Sequence, residues 1–247
     1  MTYTVALAGK GGTGKTTMTG FLIKFFTCKG KAPVLAVDAD ANANLNDILG
    51  LEVYSTLGDA RNDMKKNVSQ GMTKDVFMDM RLQEAIIETK DFDLIVMGQP
   101  EGAGCYCAAN TLLTQYLDKL IDNYEYVVID NEAGMEHLSR LTTNNIDVLL
   151  IVSDSTRRGI KAAARIVELT NKLNLNISKK LLIVNRVEED QRDLLEKVAM
   201  DFQLELIGLI PKDKELEEYD LRGQPTINLR NDNKAIQAAF EIFEKIF

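Results

Sequence analysis

Two periodicities alternate along the chain. Short apolar runs recur at 3–8, 33–37, 92–97, 126–130, 147–152, 180–184 and 206–210. They are rich in Val, Ile and Leu with few polar interruptions, as in strands covered on both faces of a parallel sheet. Longer stretches with helical spacing separate them. The first covers about 14–28, with Phe21, Leu22, Phe25 and Phe26 on its apolar side and Cys28, read as a small partly buried residue, at its end. Others are predicted at about 109–122, from 153–155 to about 173, and at 232–247, where Ile236, Phe240, Phe243 and Phe247 share one face. Residues 51–90 are the least patterned. A helix start is read at 55–60, and helical spacing over 73–88 at Val76, Met80, Leu82, Ile86 and Ile87. A short helix at 44–49 would take its cap from Asn42 or Asn44, and the helix after 153 from Ser153, Asp154 or Ser155. Strands alternating with helices, joined by right-handed crossovers, give an α/β fold. The expectation is a doubly wound, mostly parallel sheet of about seven or eight strands flanked by helices, in one domain spanning 1–247.

The polar residues that break this pattern are chemically specific. Gly9-Lys10-Gly11-Gly12-Thr13-Gly14-Lys15-Thr16-Thr17 lies between the first strand and the first helix. Gly9 and Gly14-Lys15-Thr16 satisfy G-x-x-x-x-G-K-[ST], a phosphate-binding loop in the strand–turn–helix context that it requires. Glycines let successive backbone N–H groups converge on an anion, and the helix directs its positive end at the same point. Gly11, Gly12, Thr13, Gly14, Lys15, Thr16 and Thr17 are therefore the candidate nucleotide contacts. Lys15 would reach the β- and γ-phosphates and Thr16 would ligate Mg²⁺. The second strand delivers Asp38-Ala39-Asp40 at its carboxyl end, the edge where ligands bind in open α/β sheets. Two acids there can act on Mg²⁺ and on water. The run Tyr126-Val127-Val128-Ile129-Asp130 ends in an acid in the Walker B manner, with Asp130 as a further Mg²⁺ ligand. His137, the one histidine, reads as a solvated or capping residue.

Charge and cysteine usage narrow the function. Thirty-seven acidic against 29 basic residues leave a formal charge of −8, which argues against a general nucleic-acid binder. Apolar runs stop far short of a membrane span, and the opening residues leave no room for a signal segment before the first strand. The last helix balances Lys234 and Lys245 with Glu241 and Glu244, so it lacks the cationic face of a membrane-surface helix. Three cysteines, two of them in Cys105-Tyr106-Cys107, do not form a secreted disulfide framework. A reducing, cytoplasmic compartment with a thiol or metal site is expected. In an extended segment, residues two apart point the same way, and a nearby helix start favours the metal-binding thiolate. Two thiolates do not complete a site. A two-fold dimer with this loop at its axis would supply four, suited to Zn²⁺ and also to Ni²⁺.

Lys10 is not demanded by the general motif. A lysine at the start of the loop, in Lys10-Gly11-Gly12-Thr13-Gly14-Lys15-Thr16, resembles the deviant phosphate loop of one class of P-loop NTPases. That class holds the MinD septum-site and ParA partition ATPases, the arsenite-pump ATPase and the nitrogenase iron protein. The resemblance implies an ATP-dependent homodimer in which Lys10 crosses to the partner's nucleotide. It gives Lys10, Lys15 and Asp40 catalytic roles, with Asp40 orienting the attacking water and Asp38 supporting the metal shell. It also implies that Asn185, Arg186, Pro211 and Asp213, at the ends of the last two strands, surround the adenine.

The blocks Pro100-Glu101-Gly102-Ala103-Gly104-Cys105-Tyr106-Cys107 and Asp130-Asn131-Glu132-Ala133-Gly134-Met135-Glu136-His137 resemble more narrowly the nickel-insertion ATPases of carbon monoxide dehydrogenase and acetyl-CoA synthase maturation. This implies an ATP-hydrolysing metallochaperone whose Cys105 and Cys107 hold Ni²⁺, with Zn²⁺ as a possible substitute, for a client metalloenzyme. A positioning ATPase and an iron–sulfur reductase are the alternatives. The second is disfavoured because no cysteine follows Asp130.

Overall fold

The structure, a computed structural model, describes residues 2–66, 74–98, 120–131 and 145–247. Eight strands are found: β1 (Tyr3–Ala8), β2 (Val34–Ala39), β3 (Ile86–Glu88), β4 (Phe92–Val96), β5 (Tyr126–Asn131), β6 (Asn145–Asp154), β7 (Asn176–Val187) and β8 (Leu206–Pro211). They form one sheet in the order β3-β4-β2-β5-β1-β6-β7-β8, with every neighbouring pair parallel except β3–β4. β1 is central. The chain leaves it first towards β2 and later fills the other side with β6, β7 and β8. That reversal makes the carboxyl end of β1 the crevice of a doubly wound sheet, and the glycine loop begins there.

Helices cover both faces. On one side lie α1 (Lys15–Cys28), α2 (Leu45–Leu49) and α8 (Lys234–Phe243). On the other lie α3 (Leu57–Lys66), α4 (Lys74–Glu84), α5 (Arg157–Lys172) and α6 (Arg192–Asp201). α7 (Lys214–Leu221) follows β8. Alternate residues of β1 feed the two cores, Val5 and Leu7 to one and Ala6 and Ala8 to the other. The phenylalanines of α1 meet those of the C-terminal segment. Phe25 meets Phe240 and Phe243 edge-on at 5.3 and 5.7 Å, and Phe26 stacks on Tyr126 at 4.3 Å. The apolar face of α8 is thus spent on packing. Among the described residues, no helix is long and apolar enough to cross a membrane.

Several local expectations are corrected. The helical spacing over 73–88 overshoots: α4 stops at Glu84, and Ile86 and Ile87 pair antiparallel with Ile95 and Leu94. Thr89 closes this hairpin, its hydroxyl donating to the carbonyl of Phe92. Two adjacent β-branched residues suit an extended chain better than a helix, and their spacing from Leu82 matched a helix by coincidence. α5 is capped by Thr156, whose hydroxyl accepts from the Gly159 N–H at 3.0 Å, while Asp154 accepts from the Thr156 N–H and hydroxyl. Asn44 occupies the N-cap position of α2, but its side chain makes no cap hydrogen bond there. That role falls to Asp38, which accepts from the Leu45 N–H at 2.9 Å. Cys28 is exposed rather than partly buried. α6 and α7 have no counterpart in the sequence reading. The segments holding Cys105, Cys107 and His137, and nearly all of the helix expected at 109–122, lie outside the described residues.

Candidate functional site

β1 runs straight into the loop, and two glycines fix its path. A Cβ on Gly9 would stand 2.3 Å from the Val152 carbonyl oxygen, so the backbone crosses the end of β6 with no room for a side chain. Gly14 sits at φ +89°, and a Cβ there would meet Asn185 Nδ2 at 2.4 Å. Gly14 is also the N-cap of α1 and offers no side-chain cap. The first N–H groups of α1 are left for an anion.

The loop is propped from within and from β7. The Thr13 hydroxyl donates to the Lys10 carbonyl at 2.9 Å. Asn185 Nδ2 donates to the Thr13 carbonyl at 3.0 Å, and Arg186 Nη1 to the Gly12 carbonyl at 3.2 Å. Arg186 holds φ +58°, an uncommon conformation for a long side chain, in the register shift of the β7–β8 pairing between Val184 and Val187.

A cavity of about 350 Å³ opens in front of α1. The loop and the first turn of the helix contribute Gly12, Gly14, Lys15, Thr16 and Thr17, and the strand ends contribute Asn185, Arg186, Pro211 and Asp213. The remaining walls were invisible to motif reading. They include Asp47 and Ile48 of α2, Glu217 and Asp220 of α7, and Thr226. Cations stand at the loop end and carboxylates at the far end. Lys15 is buried. Lys10 is exposed, and its ammonium has no hydrogen-bond or ion-pair partner among the described residues.

Behind the loop, Asp38 and Asp130 are register partners on adjacent parallel strands, and both are buried. Thr19 donates to Asp130 Oδ1 at 3.1 Å, and the Thr16 hydroxyl lies near enough to this carboxyl to lower its affinity for protons. Burial nevertheless pushes Asp130 up to about 6, against the pull of the Thr16 hydroxyl and the Lys15 charge. Burial likewise lifts Asp38 to about 7 against the pull of the Leu45 N–H, with the Asp130 charge adding to the rise. The two oxygens of Asp38 accept from the N–H groups of Asp40 and Leu45, at 3.0 and 2.9 Å. Asp40 is half-buried, and its Oδ1 accepts from the backbone and side chain of Asn42 at 2.9 and 3.0 Å. Two buried carboxyls with raised affinity for protons form a site short of positive charge. That deficit, with the Thr16 hydroxyl beside it, fits a hard divalent cation such as Mg²⁺. Among the described residues, no group of three or more His, Cys, Asp or Glu could hold a metal ion by itself.

This electrostatic deficit predicts a pH dependence. A carboxyl whose folded pKa is raised binds protons more tightly folded than unfolded. Stability is then lost as pH climbs from the unfolded value of 3.8 through the folded values of about 6 and about 7. Without ligands, the melting temperature should fall by several degrees between pH 5 and 8, and Asp38→Asn should flatten the slope. Mg²⁺ with nucleotide should stabilise more at pH 8 than at pH 5. Thermal unfolding across pH checks this, and an equally steep slope in the variant would contradict it.

Residues 4–227 match the CobQ/CobB/MinD/ParA nucleotide binding domain. The chain belongs to that family. Its fold agrees with solved members of the MinD/ParA class of P-loop ATPases. The septum site-determining protein MinD of Pyrococcus horikoshii OT3, solved with Mg-ADP, superposes with a TM-score of 0.75 at 25% identity, over 100% of this chain and 96% of that one. An uncharacterised ATP-binding protein of Methanocaldococcus jannaschii is 44% identical over 98% of this chain and 97% of its own length. The carbon monoxide dehydrogenase accessory protein CooC of Rhodospirillum rubrum is 29% identical over 95% of each chain. The expected doubly wound sheet is therefore that of the MinD/ParA class, with the antiparallel β3 as an eighth strand at one edge.

Proposed function

We propose that this MinD/ParA-class protein is an Mg²⁺-dependent ATPase that works as a two-fold dimer and delivers nickel to a client metalloenzyme. The ATPase part rests on the glycine loop with its uncapped helix start, set above Asp38 and Asp130. The relatives named for ATP and Mg-ADP support it.

The residues divide the work. The first N–H groups of α1 and the Lys15 ammonium bind the β- and γ-phosphates. Asp130, Asp38 and Thr16 would hold Mg²⁺, which when bound neutralises charge developing on the phosphates. Asp40 orients water for attack on the γ-phosphorus. Its Oδ1 is occupied by Asn42, which fixes the carboxylate plane. Lys10 reaches the partner's nucleotide, where a cation placed on the transferring phosphoryl group stabilises the transition state. This use fits a lysine that is exposed and has no partner among the described residues of its own chain.

The nickel part rests on the Cys105-Tyr106-Cys107 sequence and on the likeness to CooC over nearly the whole chain. Nickel here is cargo, held by two thiolates from each subunit. The test is activation of a client: combine the protein, ATP and nickel with nickel-free carbon monoxide dehydrogenase or acetyl-CoA synthase. Activity should return severalfold faster than with nickel alone, and recovery independent of ATP would contradict the proposal. The MinD likeness also suits a membrane-positioning switch. Against it, Ile236, Ile242 and Phe243 of α8 are buried, leaving Glu241 and Glu244 exposed and no apolar face for lipid.

A further inference from the structure

Among the described residues that line the cavity, Thr226 carries a buried hydroxyl with no hydrogen-bond partner. Thr226 opens a short 3₁₀ turn, Thr226–Asn228, directly after Pro225. The turn is held firmly. Lys24 Nζ donates to the Ile227 carbonyl at 2.7 Å, and the Leu229 N–H to the Thr226 carbonyl at 3.1 Å. Gly50, at the end of α2, lies so close that a Cβ there would stand 2.9 Å from the Pro225 ring. Thr226 is 2% exposed, and its hydroxyl has no partner among the described residues. A buried hydroxyl without a partner is costly, so a fixed one beside a cavity marks a place where a ligand completes it.

Two other polar residues of the cavity wall already have partners within the chain. Asn185 spends its amide on the loop, donating to the Thr13 carbonyl and accepting from the Arg186 N–H at 2.9 Å. Asp213 caps α7, accepting from the Leu216 N–H at 2.8 Å, and the same oxygen accepts from Asn233 Nδ2 at 3.0 Å. Thr226 also shares Asp47, Ile48 and Asp220 with an adjoining hollow of about 510 Å³. Carboxylates at this end repel phosphate, whereas Lys15 and Arg186 attract it at the other. The ligand part that reaches Thr226 is therefore uncharged and carries hydrogen-bonding edges.

We propose that Thr226 Oγ1 is the buried hydrogen-bonding group for the nucleoside end of the bound nucleotide, and so favours nucleotides over bare polyphosphate. The assignment rests on the ATPase reading above. A hydroxyl can both donate and accept, so it can meet either kind of edge on a base or ribose.

The near-isosteric Thr226→Val tests it through two effects of opposite sign. Removing an orphaned hydroxyl relieves the free protein, whose melting temperature should rise by about 2–4 °C. The same change should weaken ATP binding by about three- to tenfold, the worth of one hydrogen bond. Binding of inorganic tripolyphosphate, measured alongside with Mg²⁺, should stay within about twofold, and Thr226→Ser should keep ATP affinity within the same margin. Unchanged ATP affinity in Thr226→Val would overturn the assignment, and so would equal losses for ATP and tripolyphosphate. Failure of the wild-type protein to bind ATP would instead remove the ATPase reading together with it.

Discussion

Lys10→Ala lowers ATP hydrolysis by about 100-fold or more and leaves ATP affinity within about threefold of wild type, as expected when a cation acts on the transition state rather than on the bound substrate. The geometry makes this split a sharp expectation. The loop uses the backbone of Lys10, whose carbonyl accepts from the N–H and hydroxyl of Thr13. The side chain makes no such contact among the described residues and is exposed. Truncating it leaves the cradle standing. Lys15 differs, being buried at the start of α1 beside Asp130, and its loss would damage binding as well. Single-turnover hydrolysis and equilibrium ATP binding separate the two cases. A parallel loss of binding and hydrolysis in Lys10→Ala would mean that Lys10 serves its own loop.

The second large effect concerns the cargo. In Cys105→Ala/Cys107→Ala, tight Ni²⁺ binding, about one ion per dimer in the wild type, should disappear while basal hydrolysis persists. Two thiolates alone hold a soft-accepting ion weakly. Four from a two-fold pair complete a site, so metal affinity and dimerisation should be linked. Nickel titration with and without ATP reads both at once. Equal nickel affinity in the double variant would place the metal elsewhere.

Much of this site could be read from the sequence because its parts are local. Gly9, Gly14, Lys15 and Thr16 sit within one strand–loop–helix unit, and Asp38 and Asp130 each follow an apolar strand. Parallel topology then brings the strand ends together, and the register pairs Asp38 with Asp130 directly. The far walls could not be read in that way. Asp47, Asp220 and Thr226 come from three short elements distant in sequence from the glycine loop, and no motif marks them. The misreading of Ile86 and Ile87 has a related cause. Their pairing with β4 is a tertiary fact, and helical spacing cannot exclude it. The double duty of Asp38 was hidden for the same reason. Its carboxylate reaches seven residues ahead to cap α2, which ties the acidic edge of the sheet to a wall of the cavity.

The shared site is the centre of the account, and subunit mixing tests it most directly. Lys10→Ala and Asp40→Ala should each be inactive alone. In a mixed dimer, one site receives an intact Asp40 from its own chain and an intact Lys10 from across the interface. Equal mixing with free exchange should then restore about a quarter of wild-type hydrolysis, since half the dimers are mixed and each has one complete site. If Lys10 acts within its own chain, no site in the mixture is complete. Activity that stays at the level of the separate variants, with exchange demonstrated, would contradict the shared site.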